Sequence, residues 1–111
     1  MASFETVLIE SKTLEGVQTD QYTSAGVRTR IHKFTLTNQD VVARAVSVNL
    51  IPSGGSAAAS NLILKARNIL PGQTYECPEL VGQLLASGGK ISTIAPAGSS
   101  VTCRASGVEI A

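Results

Sequence analysis

Aromatic side chains are scarce in this chain: there is no Trp, and only two Phe and two Tyr stand among 111 residues. Sites that grip sugars or single-stranded nucleic acid stack their ligands on aromatic platforms interleaved with basic residues. Of Phe4, Tyr22, Phe34 and Tyr75, only Phe34 lies beside a basic cluster, and a sheet-buried Phe34 is the expectation. Charge is also sparse. Asp, Glu, Lys and Arg make up 15% of the residues, and nine basic against eight acidic side chains leave a net charge of +1. Neither nucleic acid nor an anionic membrane is held nonspecifically by so weak a field.

Histidine occurs once, at His32, and cysteine twice, at Cys77 and Cys103. A structural zinc site needs four ligands, and this set does not supply them. Two semi-buried free thiols are expected, with a disulfide as the alternative, because MASFETVLIE has no basic leader followed by an apolar stretch. A nucleophile-base-acid triad would have to use His32 with an acid such as Asp40, and no local motif supports one. The only other aspartate, Asp20, and the glutamates do not cluster as in a calcium loop. Glu76 and Glu79 flank Cys77 and Pro78 and mimic an acid pair for glycoside cleavage, but Tyr75 is the only aromatic nearby. Gly54-Gly55 lacks the Lys-Ser/Thr ending of a phosphate loop. No catalytic residue, cofactor or metal ligand is therefore assigned. Nor does any apolar run approach the length of a membrane helix; the longest, around Ile63, is cut by Lys65 and Arg67.

What remains is an aliphatic chain, 43% hydrophobic with a mean hydropathy of +0.19, rich in Val, Ile and Ala and punctuated by Gly, Pro, Ser and Asn. Its length fits one domain, 1–111. Two-residue alternation marks strands at Ser3–Glu10, Val27–Thr37, Val41–Ile51, Asn61–Leu70, Lys90–Ala95 and Val101–Ile110. A further strand should begin near Gln73, after a type II turn at Pro71-Gly72. Residues 1–26 read as a strand followed by an extended arm or loop, Lys12–Ser24, and 27–111 as the core. Asn38-Gln39-Asp40 should join its flanking strands as a hairpin, and Pro96-Ala97-Gly98-Ser99 should close a C-terminal one. Pro52–Ser60 reads as a mobile surface loop, Glu79–Leu85 as a short helical turn or crossover, and Gly107 as a bulge or kink. Short strands without a long amphipathic helix predict an all-β sandwich, jelly-roll-like, with immunoglobulin-like strand order as the alternative.

Two segments carry a specific likeness: KFTLTNQDVVARAVSVNLIPSGGSAAASNLI and LPGQTYECPELVGQLLASGGKISTIAPAGSSVTCRASGVEI. Over roughly residues 30 to 110 the chain resembles the capsid decoration or staple proteins of epsilon-fifteen-like short-tailed bacteriophages. The resemblance implies a jelly-roll-like fold, location on the outer surface of a virion, synthesis in the host cytoplasm, and clamping of neighbouring copies of a major capsid (coat) protein. A dimer of the chain itself is compatible with it. Within that reading the Lys12–Ser24 arm and the Pro52–Ser60 loop are the expected contacts. A head-tail connector or tail component, and a carbohydrate- or receptor-binding module, are the alternatives.

Overall fold

The computed structural model describes residues 2–111. Its strands are β1 (Ser3–Thr13), β2 (Thr19–Thr23), β3 (Arg28–Asn38), β4 (Arg44–Ile51), β5 (Leu62–Ile69), β6 (Thr74–Tyr75), β7 (Leu84–Leu85), β8 (Lys90–Ile94) and β9 (Val101–Ile110). They form two antiparallel sheets. One runs β1-β9-β3 and continues with β6 and β7, both on the far side of β3; the other runs β2-β8-β4-β5. With β6 and β7 counted as one interrupted strand, two four-stranded sheets result. That order is the double Greek key of a jelly roll, which settles the choice against an immunoglobulin-like sandwich.

Both expected hairpins are absent. Val27–Thr37 and Val41–Ile51 lie in opposite sheets: β3 pairs with β9, β6 and β7, whereas β4 pairs with β5 and β8. The two C-terminal strands also separate, β8 pairing with β2 and β4, and β9 with β1 and β3. Among the described residues only β4 and β5 are neighbours both in sequence and in a sheet. The Lys12–Ser24 arm is corrected as well. β1 extends to Thr13, and Thr19–Thr23 is a full edge strand paired from Thr19↔Thr93 to Thr23↔Lys90. Polar side chains suit an edge that faces water on one side, so polarity here did not mean a loop. The Pro71-Gly72 turn is present, with Gly72 at φ +75° and the Gln73 amide donating to the Leu70 carbonyl at 3.0 Å.

The core lies between the sheets. Phe34, Ile31, Leu36 and Cys103 from one sheet meet Val46, Val48, Leu64, Ile69 and Ile91 from the other. Each such side chain contributes about 1.5–3 kcal/mol on burial. Leu80, fully buried, closes one side from the excursion between β6 and β7. That excursion is the turn or crossover expected over Glu79–Leu85, with the Leu80 amide bonded to the Cys77 carbonyl, except that Leu84–Leu85 pairs with β3 as a strand.

Alternation fails at two matched points. In β3, Ile31 opposes Gly107 and Lys33 opposes Ser106, which leaves His32 as an extra residue. In β1, Val7 opposes Ser106 and Ile9 opposes Ala105, which leaves Leu8 extra. The irregularity expected at Gly107 is thus displaced onto both neighbours, while β9 itself runs on. Gly107 is what allows the approach: a Cβ there would lie 2.2 Å from the Arg30 carbonyl oxygen.

A polar clamp joins the sheets at the opposite end from Leu14. The Tyr22 hydroxyl, on β2, donates to the Glu109 carboxylate, on β9, and lies 2.7 Å from the Thr29 hydroxyl of β3. Ser24 extends the chain, 2.7 Å from Thr29. Burial, then the Glu109 hydrogen bond, pushes the Tyr22 phenol above its ordinary value.

Candidate interaction surface

The chemistry-bearing residues are dispersed. His32 is pushed outward by its bulge and lines a shallow concavity of about 520 Å³ with Glu5, Thr6, Val7, Ser106 and Gly107. It also borders a second concavity, about 350 Å³, with Lys33, Glu76, Pro78 and Val81. Neither includes Asp40 or a cysteine. Asp40 accepts two bonds from Arg44, at 2.9 and 2.7 Å, and one from its neighbour's amide. The Arg44 guanidinium holds its carboxyl below the usual range.

Cys77 and Cys103 are both free and buried, deeper than the semi-buried thiols expected. Burial pushes both up to about 12, so neither is poised as a nucleophile. Glu76 pairs with Lys33 at 2.6 Å, and Glu79 accepts from the Tyr75 hydroxyl at 2.6 Å. Those partners hold both carboxyls below their ordinary value, whereas glycoside cleavage needs one raised. Among the described residues no three His, Cys, Asp or Glu side chains are grouped to hold a metal, and no helix is long and apolar enough to cross a membrane.

The Gly54-Gly55 loop is exposed but tethered at its far end. Asn61 accepts from the Ala58 amide at 3.1 Å and from Asn49 of β4 at 2.7 Å, and donates to the Ser56 carbonyl at 2.9 Å. Phe34 is fully buried, as expected. Tyr22 belongs to the clamp, and the Tyr75 ring packs under Arg67, 4.1 Å from the guanidinium carbon. Phe4 alone stands exposed.

One end of the sandwich is different in kind. Four connections meet there: 14–18, 39–43, 70–73 and 95–100. Leu14 and Val101 bond at 2.9 Å, Ser99 and Leu14 at 3.0 Å, Gln39 and Ser100 at 3.0 Å, and Gly72 and Asn38 at 2.9 Å. The buried Asn38 amide ties two of them together, donating to the Val42 and Ile69 carbonyls at 2.8 and 2.9 Å. On this braced frame stand exposed aliphatic side chains: Val41 (87%), Val17 (69%), Leu70 (57%) and Val42 (47%). Exposed apolar side chains on braced loops make this end the candidate interaction surface. Sequence reasoning missed it because Val41 and Val42 read as the start of a strand and Leu70 as the end of another.

No family model matches the chain, and no curated protein does. Among solved structures, a chain of the infectious bursal disease virus, Gx strain, matches with a TM-score of 0.48 and 13% identity, over 98% of this chain and 32% of that one. The jelly-roll assignment rests on strand order and not on that match.

Proposed function

We propose that the chain is a structural virion protein that decorates and stabilises an icosahedral phage capsid, clamping neighbouring coat subunits from outside. In this reading it is not an enzyme and takes no cofactor or metal. The observation that carries it is the braced apolar end, with Val17, Val41, Val42 and Leu70 exposed on three of its four interlinked loops. The sequence resemblance over residues 30 to 110 supplies the partner. Jelly rolls recur in capsid and lectin domains, so the fold alone does not choose between them. The scarcity of free aromatics disfavours the lectin.

A decoration protein works by linkage: whatever binds the assembled shell and not its separated subunits stabilises the shell. A contact of ordinary size covers about 800 Å² per partner, roughly a seventh of this chain's 5563 Å² surface. Two such contacts on one rigid body bridge two subunits, and the second then forms at high effective concentration.

The test is to mix the purified protein with mature heads assembled without it and to count bound copies by electron cryo-microscopy. Binding over the whole shell is expected, and lost binding by a Val41→Glu/Leu70→Glu variant that melts like the wild type. Attachment only at the tail vertex would sink the decoration role in favour of a connector.

A further inference from the structure

The two sheets have four edges, and three are visibly closed to further pairing. β5 is interrupted where Lys65 and Ala66 together face Ser47, with Ala66 at φ +45° and Lys65 and Arg67 exposed. β2 has five residues and its own register shift. β6 and β7 have two residues each, separated by the Leu80 excursion. Bulges, exposed cations and short strands are the usual means of blocking edge-to-edge association.

The fourth edge, β1, has register shifts after Val7 and after Ile9, but its first five residues are open. From Ser3↔Ile110 to Val7↔Ser106, β1 pairs with β9 without a shift. The Ala111 amide donates to the Ala2 carbonyl at 2.8 Å. By antiparallel alternation Ala2, Phe4 and Thr6 therefore bond to β9, while Ser3, Glu5 and Val7 direct their amides and carbonyls away from the sheet. Phe4 and Val7 are exposed, at 56% and 37%. Glu5 is unusual in a second way. Asp20, Asp40, Glu10, Glu15 and Glu76 each have an ion-pair partner, and Glu79 and Glu109 each accept from a tyrosine. Among the described residues Glu5 has neither kind of partner, and it lines the 520 Å³ concavity beside the edge.

We propose that the free edge of β1 is completed in the assembly by an extended segment of the coat partner, its strand bonded to Ser3, Glu5 and Val7 and a Lys or Arg side chain set against Glu5. This rests on the decoration reading and adds a second contact to it, by strand addition. A second copy of this chain is the weaker occupant. The register that pairs all of Ser3–Val7 with itself sets Glu5 against Glu5, and like charges directly opposite are destabilising.

The test again uses heads assembled without the protein. Glu5→Pro removes an outward amide and leaves the β9 bonds of Phe4 and Thr6 in place; edge strands tolerate proline. It should melt like the wild type and bind heads about tenfold more weakly. Glu5→Gln, which keeps the amide, should bind more weakly by a smaller factor and with a shallower salt dependence. Hydrogen exchange on the unsubstituted protein gives a reading independent of any variant: the amides of 3, 5 and 7 should exchange fast when free and become protected on heads. Wild-type binding by a folded Glu5→Pro protein, or unprotected amides on heads, would overturn the edge contact and leave decoration standing. Protection already present in a free dimer would assign the edge to a second copy. Heads that retain no wild-type protein would overturn both proposals.

Discussion

Gly107 is the position at which one methyl group should do the most damage. It sits in β9, between β1 and β3, opposite Thr6 on one side and Ile31 on the other. A Cβ would lie 2.2 Å from the Arg30 carbonyl oxygen and 3.1 Å from the Leu8 Cδ1. The Leu8 tip can rotate away, but the carbonyl cannot, because it belongs to the ladder between β3 and its neighbours. Relief requires the strands to part by about 1 Å, with overpacking of about 1–3 kcal/mol and weakening of a ladder bond by about 1 kcal/mol. Alanine returns about 0.5–1 kcal/mol through the unfolded chain. Gly107→Ala should therefore destabilise by about 2 kcal/mol, which for a chain of this size lowers the melting temperature by about 8 °C. Far-UV circular dichroism on heating measures it. Gly54→Ala is the control: nothing lies within 4 Å of its Cβ, and φ is +76°, so only backbone strain of about 1 kcal/mol applies. Equal losses for the two variants, or a shift under 3 °C for Gly107→Ala, would refute the collision argument.

Two further outcomes follow from ionisation. With Cys77 and Cys103 pushed up to about 12 by burial, neither should react with a thiol reagent at pH 8 until the protein unfolds, when both should; rapid labelling of the native state would contradict their burial. The carboxyls of Glu15, Asp40, Glu76 and Glu79 are lowered chiefly by Lys12, Arg44, Lys33 and Tyr75. Their contribution is present above the ordinary carboxylate range, about 4, and is lost as pH falls through the lowered values. Denaturation midpoints should hold from pH 8 to 5 and then fall, and Asp40→Asn should flatten that fall; an unchanged acid limb in the variant would refute the Arg44 pairing.

Composition and alternation disclosed the sandwich, because Val, Ile and Leu at two-residue spacing have little else to form. They did not disclose which strands pair. In a jelly roll successive strands mostly cross from one sheet to the other, so the turns at Asn38–Asp40 and Pro96–Ser99 have hairpin chemistry without making hairpins. Periodicity also misassigned β3. Arg28, Arg30, His32, Phe34 and Leu36 form one face of an uninterrupted strand, but the extra residue at His32 puts Arg30 outside and Phe34 and Leu36 inside. A bulge of one residue inverts every face beyond it, and the pairing strand that imposes it lies at the far end of the chain.

The candidate interaction surface was illegible for a related reason. No single segment carries it: Val17, Val41 and Val42, and Leu70 come from three connections, and each residue alone is an unremarkable exposed aliphatic. Only the strand order, with Leu14, Asn38, Ile69 and Val101 delivered to one end, brings their connections to the same end of the sandwich. Asn38 does the bracing, and in sequence it reads as an ordinary turn residue. Its full burial, with both the Val42 and Ile69 carbonyls as acceptors, shows why it is Asn: the side-chain amide reaches both loops, beside the backbone bonds that Asn38 makes to Gly72 and Gln73. Its loss should disorder the Val42 loop before it unfolds the sandwich.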